Sequence, residues 1–118
     1  MQRLVIYGEL CDLNTYINKE RANKFMAAKI KREETDRVIA ECLVQKLKKI
    51  EKPVTIDIEW VTKNTRKDPD NVAFAKKFIL DGLVKAGVLE NDGRKQITGF
   101  SDSYSVSKTN ARVIVSIN

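Results

Sequence analysis

From Val54 to Val61 apolar and polar residues alternate, with Ile56, Ile58 and Trp60 set against Thr55, Asp57 and Glu59. A period of two is the pattern of a half-buried strand. Upstream the period changes. Thr15 to Lys49 lacks proline and glycine, and Ile17, Phe25, Met26, Ile30, Val38, Ile39, Leu43 and Leu47 recur at intervals built from threes and fours. That spacing predicts one long helix, with Glu33 to Asp36 as the place where it would break. Pro53 excludes any continuation, because the residue before a proline is pushed out of the helical region. Arg3 to Tyr7 reads as a short strand stopped by Gly8. Asp68 to Ala86 returns to helical spacing through Val72, Ala75, Phe78, Ile79 and Leu83, and Gly87 marks its C-terminal end. Asn91-Asp92-Gly93 is a turn. Ile97 to Val106 and Arg112 to Ile117 read as two last strands, expected to pair antiparallel around Lys108 to Asn110. The order β-α-β-α-β-β predicts an α+β fold: a small mixed or antiparallel sheet with two main helices on one face, as a single domain over residues 1–118.

Composition narrows the chemistry. The chain has 118 residues and is 42% hydrophobic, enough for one core without crosslinks. Lysine and arginine number 22 against 16 acidic residues, a net charge of +6 that favours a polyanionic partner. Histidine is absent, which excludes Ser-His-Asp triads and histidine-containing zinc sites. Cys11 and Cys42 stand far apart without a CxxC pair and read as reduced thiols, Cys42 on a buried helix face. A cytoplasmic location is the corresponding expectation. Met1 to Ile6 is too short an apolar run for a signal peptide, and no stretch is apolar enough to span a membrane.

The most informative stretch is Arg66-Lys67-Asp68-Pro69-Asp70-Asn71, followed by Lys76-Lys77, Asp81 and Asp92. Asp68 and Asp70 lie two apart at a strand-to-helix junction. Paired carboxylates suit a hard cation such as Mg²⁺, which takes oxygen ligands and keeps several waters. Arg66 and Lys67 would hold a phosphate backbone nearby. A second reading stands beside this one: Asp68 as helix N-cap, Pro69 as first helical residue and Asp70 as a favourable charge at the positive helix end. An EF-hand is excluded, since its glycine would fall on Ala73 and its closing glutamate on Ile79. Lys77 shares a predicted helix face with Asp70 and Asp81, either beside a metal-bound water or as an exposed i, i+4 partner of Asp81. Asp92, in Glu90-Asn91-Asp92-Gly93, reads as a turn aspartate before glycine.

In their order these stretches resemble the RusA family of Holliday-junction resolvases. That family shows Asp-x-Asp-Asn after a strand and a basic loop, then a helix with an essential lysine, then D-x-L-x-K-A-G and an acidic turn. The counterparts here are Asp68-Pro69-Asp70-Asn71, Lys76-Lys77, Asp81-Gly82-Leu83-Val84-Lys85-Ala86-Gly87 and Glu90-Asn91-Asp92, so the likeness covers Val54 to Asp92. It implies a Mg²⁺-dependent endodeoxyribonuclease of phage or prophage type, a homodimer that nicks four-way DNA junctions symmetrically in recombination and repair. It also implies Asp68, Asp70 and Asp92 as metal ligands, Lys77 as the catalytic lysine ahead of Lys76, and Arg66, Lys67, Asn71 and Lys76 as DNA contacts. The spacing departs from the family pattern by about three residues between Asp70 and Asp81, nearly one helical turn, which blurs the choice of lysine.

Geometry adds an expectation. A helix from Asn71 to Ala86 would span roughly 24 Å, and six extended residues return only about 20 Å. Either the metal lies beside the middle of the helix, or a dimer mate supplies Asp92. The competing readings are a non-catalytic DNA-binding module, and a protein-interaction domain that docks through its long charged helix.

Overall fold

The computed structural model describes every residue from Met1 to Asn118. Its elements are β1 (Gln2–Tyr7), α1 (Leu13–Ala22), α2 (Lys24–Val44), β2 (Val54–Thr62), α3 (Pro69–Ala73), α4 (Lys76–Lys85), β3 (Ile97–Val106) and β4 (Arg112–Ile117). The fold is α+β, a four-stranded mixed sheet with the helices packed on it. The inward alternation of β2 places Ile56, Ile58 and Trp60 in the core. Leu4 and Ile6 of β1, Val113 and Val115 of β4, Val38 and Cys42 of α2, and Phe78, Ile79 and Leu83 of α4 pack with them. No helix is long and apolar enough to cross a membrane.

The predicted long helix is two helices. The break falls at Asn23, not at Glu33 to Asp36, which lie inside α2. Asn23 is extended (φ −166°, ψ 117°), and its side chain accepts from the Phe25 N–H, capping α2. A short polar side chain that bonds the neighbouring backbone competes with helix continuation. At the start, Asp12 caps α1 by accepting from the Thr15 N–H at 2.8 Å, so the helix begins at Leu13, two residues before the predicted boundary.

The predicted helix from Asp68 to Ala86 is also divided, into α3 and α4. Val72, Ala75 and Phe78 step by threes, and the backbone does the same: Ala75 N–H bonds the Val72 carbonyl and Phe78 N–H the Ala75 carbonyl. Such i to i+3 bonds tighten the turn and change the facing of the residues after it. Asp70 and Lys77 therefore do not share one continuous helix face. The end of α4 is as expected: Gly87 takes φ +80°, Gly87 N–H bonds the Val84 carbonyl, and Val88 N–H bonds the Leu83 carbonyl.

The last two strands do not pair with each other. The sheet order is β1-β4-β2-β3, with β2 and β3 parallel and β4 antiparallel to both β1 and β2. The connection after Val106 steps across the end of β2, where Ser107 N–H bonds the Thr62 carbonyl at 2.9 Å. Burial explains the exchange. β4 buries Val113, Val115 and Ile117 and takes a central place, whereas β3 is exposed from Phe100 to Tyr104 and takes an edge.

Candidate active site

The Asp68-Pro69-Asp70 turn lies at the end of β2, where α3 begins, and its three residues are exposed. Asp68 occupies the N-cap position, yet its side chain makes no capping bond. Asp70 accepts only from the adjacent Asn71 N–H, at 3.0 Å. Both carboxylates thus keep oxygens turned away from protein donors. A cleft of about 240 Å³ reaches the turn at Pro69 and is lined also by Asn64, Thr65, Tyr104 and Val106.

β3 forms the other wall. Alternation puts Phe100, Asp102 and Tyr104 on its helix-facing side, in register with Ile56, Ile58 and Trp60. The Tyr104 hydroxyl donates to the Pro69 carbonyl at 3.3 Å. Burial pushes its phenol above the usual range, with the Asp102 and then the Asp70 carboxylates adding to the shift, so both acidic groups act on the same hydroxyl. Asp102 accepts from the buried Trp60 indole and from the Lys76 ammonium, each at 2.8 Å. Lys76 also lies 4.5 Å from the centre of the Phe100 ring.

The two adjacent lysines therefore have different surroundings. Lys76 is drawn to Asp102 and Phe100 of β3. Lys77 stays exposed and pairs with Asp81 at 3.3 Å, an ordinary i, i+4 contact on the helix surface.

Of the expected DNA contacts, Arg66 is exposed and its guanidinium makes no ion pair or hydrogen bond. Lys67 and Asn71 are committed to the protein. The Lys67 ammonium lies 2.9 Å from Asp12 and 3.5 Å from Glu9. Asn71 Oδ1 accepts from the Asn14 N–H at 2.9 Å.

Asp92 is not part of this group. It lies in the turn that feeds β3, where Gly93 accepts from Gln96 and Ile97 and the Gln96 carbonyl receives the Val54 N–H at the start of β2. Seven residues of β3, at roughly 3.3 Å each, separate Ile97 from Tyr104 beside the acidic turn. Asp92 and the Asp68–Asp70 pair thus stand at opposite ends of the sheet, roughly 20 Å apart by the same rise per residue. Within one chain no three acidic, histidine or cysteine side chains gather to hold a metal ion. The donor set at the turn is two carboxylates, which fits Mg²⁺ in its usual protein setting of one or two carboxylates and several waters.

Asp102, Tyr104, Glu9 and Asp12 go unnoticed when the sequence is read alone. Phe100-x-Asp102-x-Tyr104 carries a period-two signal that a charged residue faces the same side as two aromatics. Asp12, three before Thr15, carries a helix-cap signal. Cys11 and Cys42 are free, and burial pushes both thiols up to about 11, with Asp12 and Glu34 adding to the first and Glu41 to the second. Neither is a thiolate at neutral pH.

No protein-family model matches this chain, and no curated protein does.

Proposed function

We propose that this chain is a RusA-like, Mg²⁺-dependent endodeoxyribonuclease that resolves four-way DNA junctions by paired symmetric nicks, working in the cytoplasm as a homodimer. The observation that carries the reading is the placing of the two acidic groups along one free strand. Asp68 and Asp70 are at one end of β3, Asp92 is at the other, and β3 is an edge strand, paired with β2 on one side and with no strand on the other.

A two-fold axis perpendicular to the sheet would pair β3 antiparallel with β3 of a second copy and keep both helix layers on the same side. The start of one β3 then lies beside the end of the other, and Asp92 of the partner subunit approaches Asp68 and Asp70. The exposed aromatics Phe100 and Tyr104 lie on that edge, and Lys76 balances the charge of Asp102 there. Two composite sites result, related by symmetry, as paired nicking of a four-way junction requires.

In this reading Asp68 and Asp70, with the partner's Asp92, hold the ion. A bound Mg²⁺ would supply an activated water and stabilise charge on the phosphodiester. Arg66 offers an unpaired guanidinium to a backbone phosphate, and Lys76 holds a positive charge against Asp102 on β3. Lys76 replaces Lys77 as the lysine of the site, because Lys77 faces Asp81.

The test is cleavage of a labelled four-way junction against linear duplex, in Mg²⁺ and in chelator, with Asp70→Asn alongside. Symmetric, metal-dependent nicking of the junction, lost in the variant, supports the reading. Mixing Asp70→Asn and Asp92→Asn subunits restores activity if the site is shared, and restores none if it is not. The second reading, a non-catalytic DNA-binding module, is favoured by the lack of a three-carboxylate cluster within one chain. Tight junction binding without a cut, in Mn²⁺ as well and across several junction sequences, would select it.

A further inference from the structure

The residues on either side of the Asp68-Pro69-Asp70 turn are held by the first residues of α1. Before the turn, the Lys67 ammonium pairs with Asp12 at 2.9 Å and Glu9 at 3.5 Å. After it, Asn71 accepts from the Asn14 backbone at 2.9 Å. One turn further on, the Phe74 ring packs on Tyr16 with centroids 5.2 Å apart. Asp12, Asn14 and Tyr16 thus grip Lys67, Asn71 and Phe74 in the same order along both segments.

Asp12 is built for this. It is 7% exposed, and both oxygens are occupied, Oδ1 by the Thr15 N–H and Oδ2 by the Thr15 hydroxyl and Lys67. A buried carboxylate with a single lysine partner fixes that lysine far more firmly than a surface pair does. The grip also explains why Asp68 and Asp70 carry so few protein contacts of their own: the backbone is held from its flanks, and the carboxylate oxygens stay free.

We infer that Asp12, acting through Lys67, is a positioning residue for the acidic turn, and that Lys67 and Asn71 serve the geometry of the metal site and not contact with DNA. The inference rests on the proposed metal-dependent nuclease. Partners that orient metal ligands typically change metal affinity by 10- to 100-fold, so loss of the clamp should weaken metal uptake with little effect on junction affinity.

The experiment compares wild type, Asp12→Asn, Lys67→Met and the double variant. Asparagine is an effective N-cap, so Asp12→Asn keeps the start of α1 while removing the charge. Three quantities are read: Mn²⁺ binding by the free protein, the Mg²⁺ concentration for half-maximal junction cleavage, and the salt dependence of junction binding in Ca²⁺. The clamp predicts that each single variant raises both metal midpoints about tenfold. The double variant goes little further, cleavage at saturating Mg²⁺ stays near wild type, and the salt slope is unchanged. A salt slope lower by about one in Lys67→Met, with metal midpoints unmoved, makes Lys67 a phosphate contact and overturns the inference alone. A wild-type protein that binds no Mn²⁺ and cuts no junction overturns the nuclease and the clamp together.

Discussion

The indole N–H of Trp60 donates to Oδ1 of Asp102 at 2.8 Å, and this bond joins the core to the exposed edge of the sheet. Trp60 is 1% exposed, so its only polar side-chain atom has no access to bulk water and depends on that carboxylate. Asp102→Ala leaves a buried donor unpaired and is expected to cost about 1–3 kcal/mol in urea unfolding. Asp102→Asn keeps an acceptor for the indole and should cost less. Equal losses in the two variants would show that the bond is not what Asp102 contributes.

At Gly82 the helix α4 packs closely against α2. A Cβ at this position would overlap the side chain of Val38, which is fully buried, and would lie 3.4 Å from the Thr35 carbonyl. Neither neighbour has room to withdraw. Gly82→Ala should therefore destabilise by about 1–3 kcal/mol despite alanine's better helix propensity. Thermal or urea unfolding measures this, and a neutral or stabilised variant would refute the close approach.

The Asp12–Lys67 pair sets a pH dependence. Burial opposes the charge of Asp12, but hydrogen bonds from Lys67 and Thr15 and the Lys67 charge outweigh it and hold the carboxyl below its ordinary 3.8. Asp12 raises Lys67 above its ordinary 10.5 against the opposing effect of burial. A lowered carboxyl contributes stability above its unfolded pKa and loses it as pH falls through the folded value. A raised lysine contributes fully below its unfolded pKa and loses stability as pH rises through the folded one. The pair is thus fully effective between 3.8 and 10.5. The stability gap between wild type and Asp12→Asn should be constant near neutrality and close as pH drops below that window. A gap that persists in acid would assign the difference to the α1 cap.

Tyr104 offers a spectroscopic view of the acidic turn. Its phenol is raised by burial, then by Asp102 and Asp70. Asp70→Asn should bring the phenol closer to its ordinary 10.0, and a cation bound at the turn should do the same, because either change removes negative field. An ultraviolet or NMR titration of the phenolate reads both. No movement on adding Mg²⁺ would count against metal binding near Tyr104.

Much of the local structure is legible in the chain. The period of two predicts a strand over Val54 to Val61, and β2 runs from Val54 to Thr62. Gly87 closes α4 because a residue without Cβ takes a positive φ at no steric cost. The Asn23 break escapes notice because the chain there lacks the proline and glycine that mark most interruptions, and an asparagine cap looks like one more polar residue on a charged helix. The pairing of Lys76 with Asp102 and of Lys67 with Asp12 is not legible, since 26 and 55 residues separate the partners in the sequence.

Where the strands form, that the fold is α+β, and that Asp68 and Asp70 share one exposed turn can be read from the order of residues alone. Each depends on interactions between residues a few positions apart. Three outcomes needed the packed chain: β4, and not β3, lies in the middle of the sheet, Asp92 stands at the far end from Asp70, and Lys67 is tied to Asp12 and Glu9. They depend on which strand has more apolar surface to bury and which distant charge each lysine reaches, and such competitions are decided only when all the elements are assembled together.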